Sequence, residues 1–187
     1  EGNQASIDYS TVLGGYKNEA NSTENVILAG NENVINTLAI YATIAGGNAN
    51  KVLNGAAGEA SIIAGGSNNQ LDTSDTSAQY NSLGGGSQNR LSGEYSAIAG
   101  GELHENRASH SMIWGGKSHS ILASGSHNVI ISGEGHDVQA VNYSVIVGGK
   151  DIQVTANYQV AGGASNQLNT VAMQGLNTVS GGRSHYI

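Results

Sequence analysis

Residues 143–149, YSVIVGG, are one copy of a heptapeptide that recurs as YSTVLGG at 9–15, YATIAGG at 41–47 and YSAIAGG at 95–101. Aligning the rest of the chain on the glycine pair gives eleven copies. Their second glycines are Gly15, Gly30, Gly47, Gly66, Gly86, Gly101, Gly116, Gly133, Gly149, Gly163 and Gly182. The slot before is Gly in nine copies, with Ala29 and Ser132 as the exceptions. Successive copies are 15, 17, 19, 20, 15, 15, 17, 16, 14 and 19 residues apart. The minimum unit is therefore 14 or 15 residues, and longer units gain residues between one motif and the next. Repetition of this kind predicts a solenoid with one variable loop per coil.

Two aliphatic columns accompany the glycines. Three residues before the second Gly lie Val12, Ile27, Ile44, Ile63, Leu83, Ile98, Ile113, Ile130, Ile146, Val160 and Val179, expected to form the coil core. Five residues after it lie Ala20, Ile35, Val52, Leu71, Leu91, Asn106, Ile121, Val138, Val154, Leu168 and Ile187, with Asn106 the one polar member. β-Branched residues favour strands, and a glycine pair in every unit would break helices of this length. Each coil is thus expected to hold two short strands joined by a glycine corner, giving an all-β, parallel β-solenoid of about eleven coils of 14–20 residues. Residues 1–187 form one repetitive domain with coils from about residue 9. At about 4.8 Å per coil, the rod would be ~48 Å long.

Side chains alternate along a strand, so the two faces can be read separately. The second strand points a further column inward: Asn18, Asn33, Asn50, Asn69, Asn89, His104, His119, His136, Ile152, Asn166 and His185. Asn stacked on Asn between coils predicts amide ladders. The four histidines read as members of that ladder, although rings of imidazoles in an oligomer would also suit a metal or an anion. The outward slots of the first strand hold Leu13, Leu28, Met112, Trp114, Ile131 and Val147 among others, and none of the 22 is charged. A strand apolar on both faces is covered on both faces, which predicts an oligomer whose first strands pack together. Leu13, Leu28, Met112, Trp114, Ile131 and Val147 are the expected intersubunit core.

Composition narrows the function. Only 11% of residues are charged, Cys and Pro are absent, and 14 acidic against 7 basic side chains give a net charge of −7. Without Cys there is no thiol nucleophile, disulfide or zinc-thiolate site, and the acidic balance opposes a nucleic-acid surface. No run of 18 apolar residues would span a membrane. The chain opens on Glu1 and reads as a segment of a longer fibre. GGGSQNRLSG lacks the Lys-Ser/Thr ending of a phosphate loop, and only GEGHD at 133–137 approaches a calcium-roll repeat. Neither a catalytic site, a metal nor a cofactor is expected.

Two features could contact a partner. One is the column opening the first strand, with Tyr9, Tyr41, Tyr80, Tyr95, His110, His127 and Tyr143, where aromatics could meet a sugar or simply stack on one another. The other is the set of inserts at residues 54–60, 72–79 and 169–176, of which the second carries Asp72 and Asp75, acidic enough for one loop ion. Loops on a rigid scaffold commonly carry binding function.

Short coils with Ser or Asn, an aliphatic and a Gly pair resemble the head repeats of YadA-type trimeric autotransporter adhesins and the related repeats of phage tail fibres. The resemblance covers residues 9–187. It implies a left-handed β-roll assembled as a homotrimer, outside the cell, on a virion tail fibre or a bacterial surface. Ile and Val stand here where adhesin heads carry Ala, the loops are less even, and there is no heptad stalk. These departures favour a phage tail fibre or spike attaching to a bacterial glycan or protein receptor. An adhesin head binding host matrix and a ligand-free spacer are the alternatives.

Overall fold

A computed structural model describes residues 1–53, 60–72, 80–168, 177–179 and 181–184. Two 11-stranded sheets run the length of the molecule, and every strand pairs in parallel with the equivalent strand one coil away. The first sheet collects the strands that precede each glycine pair, from Thr11–Val12 and Val26–Ile27 through Met112–Ile113 to Asn177–Val179. The second begins with Gln4–Ala5 and then collects those that follow it, from Glu19–Ala20 and Val34–Ile35 to Gln167–Leu168. No helix occurs among the described residues, and the chain is a parallel β-solenoid of about ten turns.

The strands are mostly two residues long because left-handed backbone recurs three times per coil, at the corner before the first strand, at the second glycine and two residues after it. The second glycine of every pair has φ between +86° and +118°. A side chain there would strike the next coil as well. A Cβ on Gly47 would collide with the carbonyl of Gly66 and lie 2.6 Å from the Asn50 amide nitrogen. The first glycine has no such constraint, since a Cβ on Gly14, Gly65, Gly100 or Gly115 meets nothing within 4 Å. That difference explains why Ala29 and Ser132 are accepted in the first slot and no substitute occurs in the second.

Between the sheets lies a core one layer thick. Ile27, Ile44, Ile63, Leu83, Ile98, Ile113, Ile130 and Ile146 face Ile35, Val52, Leu71, Leu91, Ile121, Val138, Val154 and Leu168, and all are buried. Val179 is buried too, while Val12 at the end of the rod is only partly covered. Asn106 is accommodated in this apolar column because its amide donates to the Ser111 carbonyl at 2.9 Å and accepts from the Ala108 N–H at 3.3 Å. A buried polar group with both ends satisfied loses little.

Two expectations need correction. Val160 does not occupy the core column. Val145 pairs with Val160 and Ile146 with Ala161, after which Gly148 pairs with Gly162, leaving Val147 as a one-residue bulge. Ala161 is therefore the buried residue and Val160 is half-exposed on the outer face. The 14-residue coil is short because a residue is missing inside its first strand, not in its loop. A one-residue slip turns every side chain before it to the other face. The coils also begin before residue 9. Gln4–Ala5 already pairs with Glu19–Ala20, and the Asn3 side chain accepts from the Asn18 N–H at 3.0 Å.

Candidate functional site

The inward polar column of the second strand is a ladder of a particular kind. The Oδ1 of Asn18, Asn33, Asn50 and Asn69 each accepts the backbone N–H of the next asparagine at 3.0–3.1 Å. Each amide nitrogen donates back to its own glycine corner and forward to the next, as Asn50 does to Gly46 and Gly66, both at 3.0 Å. One side chain thereby ties neighbouring coils together, mainly through backbone and only secondarily through amide–amide contact.

His104, His119 and His136 continue the ladder with the same connectivity. The His104 N–H donates to Asn89 Oδ1 at 3.0 Å. Thereafter ring nitrogens replace amide oxygens: Nδ1 of His104, His119 and His136 accept the N–H of His119, His136 and Ile152, each at 3.2 Å. An accepting Nδ1 places the proton on Nε2. Nε2 of His136 lies 3.1 Å from the Ser132 carbonyl. Those of His104 and His119 face Gly116 and the pair Gly115 and Gly133 without reaching full hydrogen-bond geometry. The rings stack in parallel with centroids 4.8 and 4.7 Å apart. Burial pushes His104 down to about 4 and His119 to about 3, the latter lowered further by its two imidazole neighbours. Burial also lowers His136, opposed by the Ser132 carbonyl and Asp151. With Nδ1 committed to backbone, these rings offer no free ligand atom on that side. Among the described residues no group of three or more His, Asp or Glu is placed to hold a metal ion. His185 and Ile187 lie outside the described residues.

A second interior ladder escaped the sequence reading. Two residues before the buried aliphatic of the first strand, Asn25, Asn81, Ser96, Ser111, Asn128 and Ser144 are buried. Each accepts the N–H of the equivalent residue one coil on, at 2.8–3.3 Å. Its sequence signal was the small polar residue that recurs before the outward slot, as in the YSTV and YSAI copies.

On the exterior, the aromatic column is a continuous ridge from Tyr80 onward, while Glu24 and Ala60 hold the corners between Tyr9, Tyr41 and Tyr80. Tyr80, Tyr95, His110, His127, Tyr143 and Tyr158 stack successively with centroids 5.4, 5.2, 4.9, 4.9 and 5.2 Å apart. Every member sits at a corner with φ of +51° to +59°. Left-handed backbone costs a non-glycine residue roughly 1–2 kcal/mol, and each aromatic pair returns about 0.5–1.5 kcal/mol. Tyr158 was missed because it lies three residues before Ala161, not before Val160. Ring faces are taken up by neighbours, so the ridge presents ring edges, hydroxyls and imidazole nitrogens to its surroundings.

Asp72 closes the strand Gln70–Asp72 and is bound by Arg90 at 2.6 Å and by Gln70 at 3.2 Å. Its carboxylate is thus engaged within the second sheet. Asp75 and most of the inserts, residues 54–59, 73–79 and 169–176, lie outside the described residues.

The outer face of the first sheet carries large exposed apolar side chains. Leu13 is 70% exposed, Trp114 58% and Val147 51%, with Leu28 and Ile131 near 40% and Met112 half-buried. Where the tenth coil omits its residue, an open depression forms, lined by Val147, Gly148, Val160, Ala161, Gly162 and Thr178. No model of a known protein family matches the chain. No curated protein matches it either.

Proposed function

We propose that this chain is a non-enzymatic, structural and receptor-displaying segment of a trimeric surface fibre outside the cell. The reading places it in a phage tail fibre or tail spike that attaches to a bacterial glycan or protein. The observation that carries it is the row of uncharged outward slots before the glycine pairs of the first sheet, where Leu13, Trp114 and Val147 stand half or more exposed on the single chain. A face that exposes large apolar side chains without charge marks an interface, and three copies of a left-handed roll packed through these faces would bury it. The second sheet supports the same arrangement. It carries the ion pairs Arg90–Asp72, Arg90–Glu105 and Arg107–Glu105, as a solvent-facing surface does.

Light scattering on a size-exclusion column tests the assembly. A single species near three times 19.0 kDa is expected; a folded monomer would refute the buried face and turn it into a ligand surface. The ridge of Tyr80, Tyr95, His110, His127 and Tyr143 is the receptor-contacting candidate. Replacing Tyr95 and Tyr143 with Ala should abolish binding to bacterial surface glycans while leaving the mass unchanged. Unaltered binding would remove the ridge from the receptor site.

A further inference from the structure

We propose that the buried column His104–His119–His136 is an acid-operated latch, which opens this stretch of the solenoid while the asparagine-laddered coils stay closed. The geometry requires all three rings to be neutral. Each Nδ1 accepts a backbone N–H from the next coil, and a proton there would set donor against donor. Three imidazolium charges would also stand less than 5 Å apart in sequence along the rod. In the same slots of earlier coils, asparagine makes the identical backbone contact with an oxygen that does not titrate in this range.

The surroundings offer the cations little compensation. Asp151 bears on His136, and among the described residues the charges bearing on His119 are those of the other two imidazoles. Asn89 and Ile152 close the two ends of the column and carry no charge. Glu105 and Asp137, next along the strands, alternate to the outer face, where Glu105 pairs with Arg107 and Asp137 with Gln139. The lowered titration of the three rings agrees with this reading. Once opened, each ring titrates near its ordinary value of ~6.5. Between that value and the folded one, the open form binds more protons, so falling pH drives opening.

Amide hydrogen exchange on the assembled protein between pH 7 and 4.5, corrected for intrinsic rates, is the test. The opening constant at the N–H of His119, His136 and Ile152 should rise at least tenfold per pH unit below about pH 6, as uptake of one or more protons demands. The N–H of Asn33, Asn50, Asn69 and Asn89 should show no such rise. Replacing all three histidines with Asn (H104N, H119N, H136N), the residue of the preceding coils, should flatten the response. An equal rise in both ladders, no rise in either, or an unchanged rise in the Asn variant would overturn the proposal. Should the triple variant fail to fold, ring-proton titration of the unaltered protein decides: three rings titrating near 6.5 would overturn it, and depressed titration would uphold it.

Discussion

At the scale of the residue, the two glycines of each pair look alike in sequence and differ in consequence. Gly47 combines φ +92° with a Cβ position blocked by Gly66, whereas Gly46 has ordinary backbone and its nearest neighbour atom 3.9 Å away. Gly47→Ala should therefore cost well over the ~1–2 kcal/mol of left-handed backbone alone, and Gly46→Ala should be within about 0.5 kcal/mol of neutral. Urea denaturation of the two variants checks the contrast. Asn50 offers a comparable test, because its removal strands the Asn69 N–H and the Gly46 carbonyl and leaves the Gly66 carbonyl with the Asn48 N–H alone. Asn50→Ala should destabilise by about 2–4 kcal/mol, since buried groups left unsatisfied lose their full solvation. Asn50→His should recover part of that loss, as the histidine coils make the same Nδ1 contact.

At the scale of the element, the tenth coil shows how narrowly a two-residue strand is defined. The motif spacing puts Val160 in the column, and one omitted residue puts Ala161 there instead. Pairing decides this. The first sheet continues its ladder through Val145–Val160, and the bulge at Val147 absorbs the mismatch. Ile146→Ala should then cost about 2–5 kcal/mol as a core truncation, whereas Val160→Ala should cost under about 1 kcal/mol in the separated chain. Equal losses measured by thermal unfolding would restore Val160 to the core. The ridge belongs to this scale as well, with its Tyr and His members lined up by the same register that places Tyr158 over Tyr143.

At the scale of the whole molecule, each sheet runs unbroken through its eleven described strands and the two differ in what covers them. The second sheet meets water with Glu, Lys, Arg and Gln; in the first sheet the outward slots that precede the glycine pairs hold no charged side chain to do so. Trp114→Glu, at an outward position 58% exposed on the single chain, should leave the coil folded but weaken self-association at least tenfold in concentration dependence. Sedimentation across a dilution series, with circular dichroism to confirm the strands, distinguishes the two effects. The acid response divides the rod, being confined to the coils that carry His104, His119 and His136. The stability of that stretch against opening should be level above about pH 6.5 and fall below it by as much as ~1.4 kcal/mol per pH unit for each buried histidine.

The sequence by itself determined the repeat, the parallel strands, nearly all of the aliphatic core and the interior position of the Asn and His column. These follow from composition at fixed spacing, because a short coil leaves each position a single face to occupy. The tertiary structure alone decided the identity of the tenth core residue, the second ladder of Ser and Asn, the unbroken stack that includes Tyr158, and the engagement of Asp72 by Arg90. Each depends on which residue stands one coil away. The lengths of the intervening loops hide that relation in the chain, and backbone pairing between coils sets it.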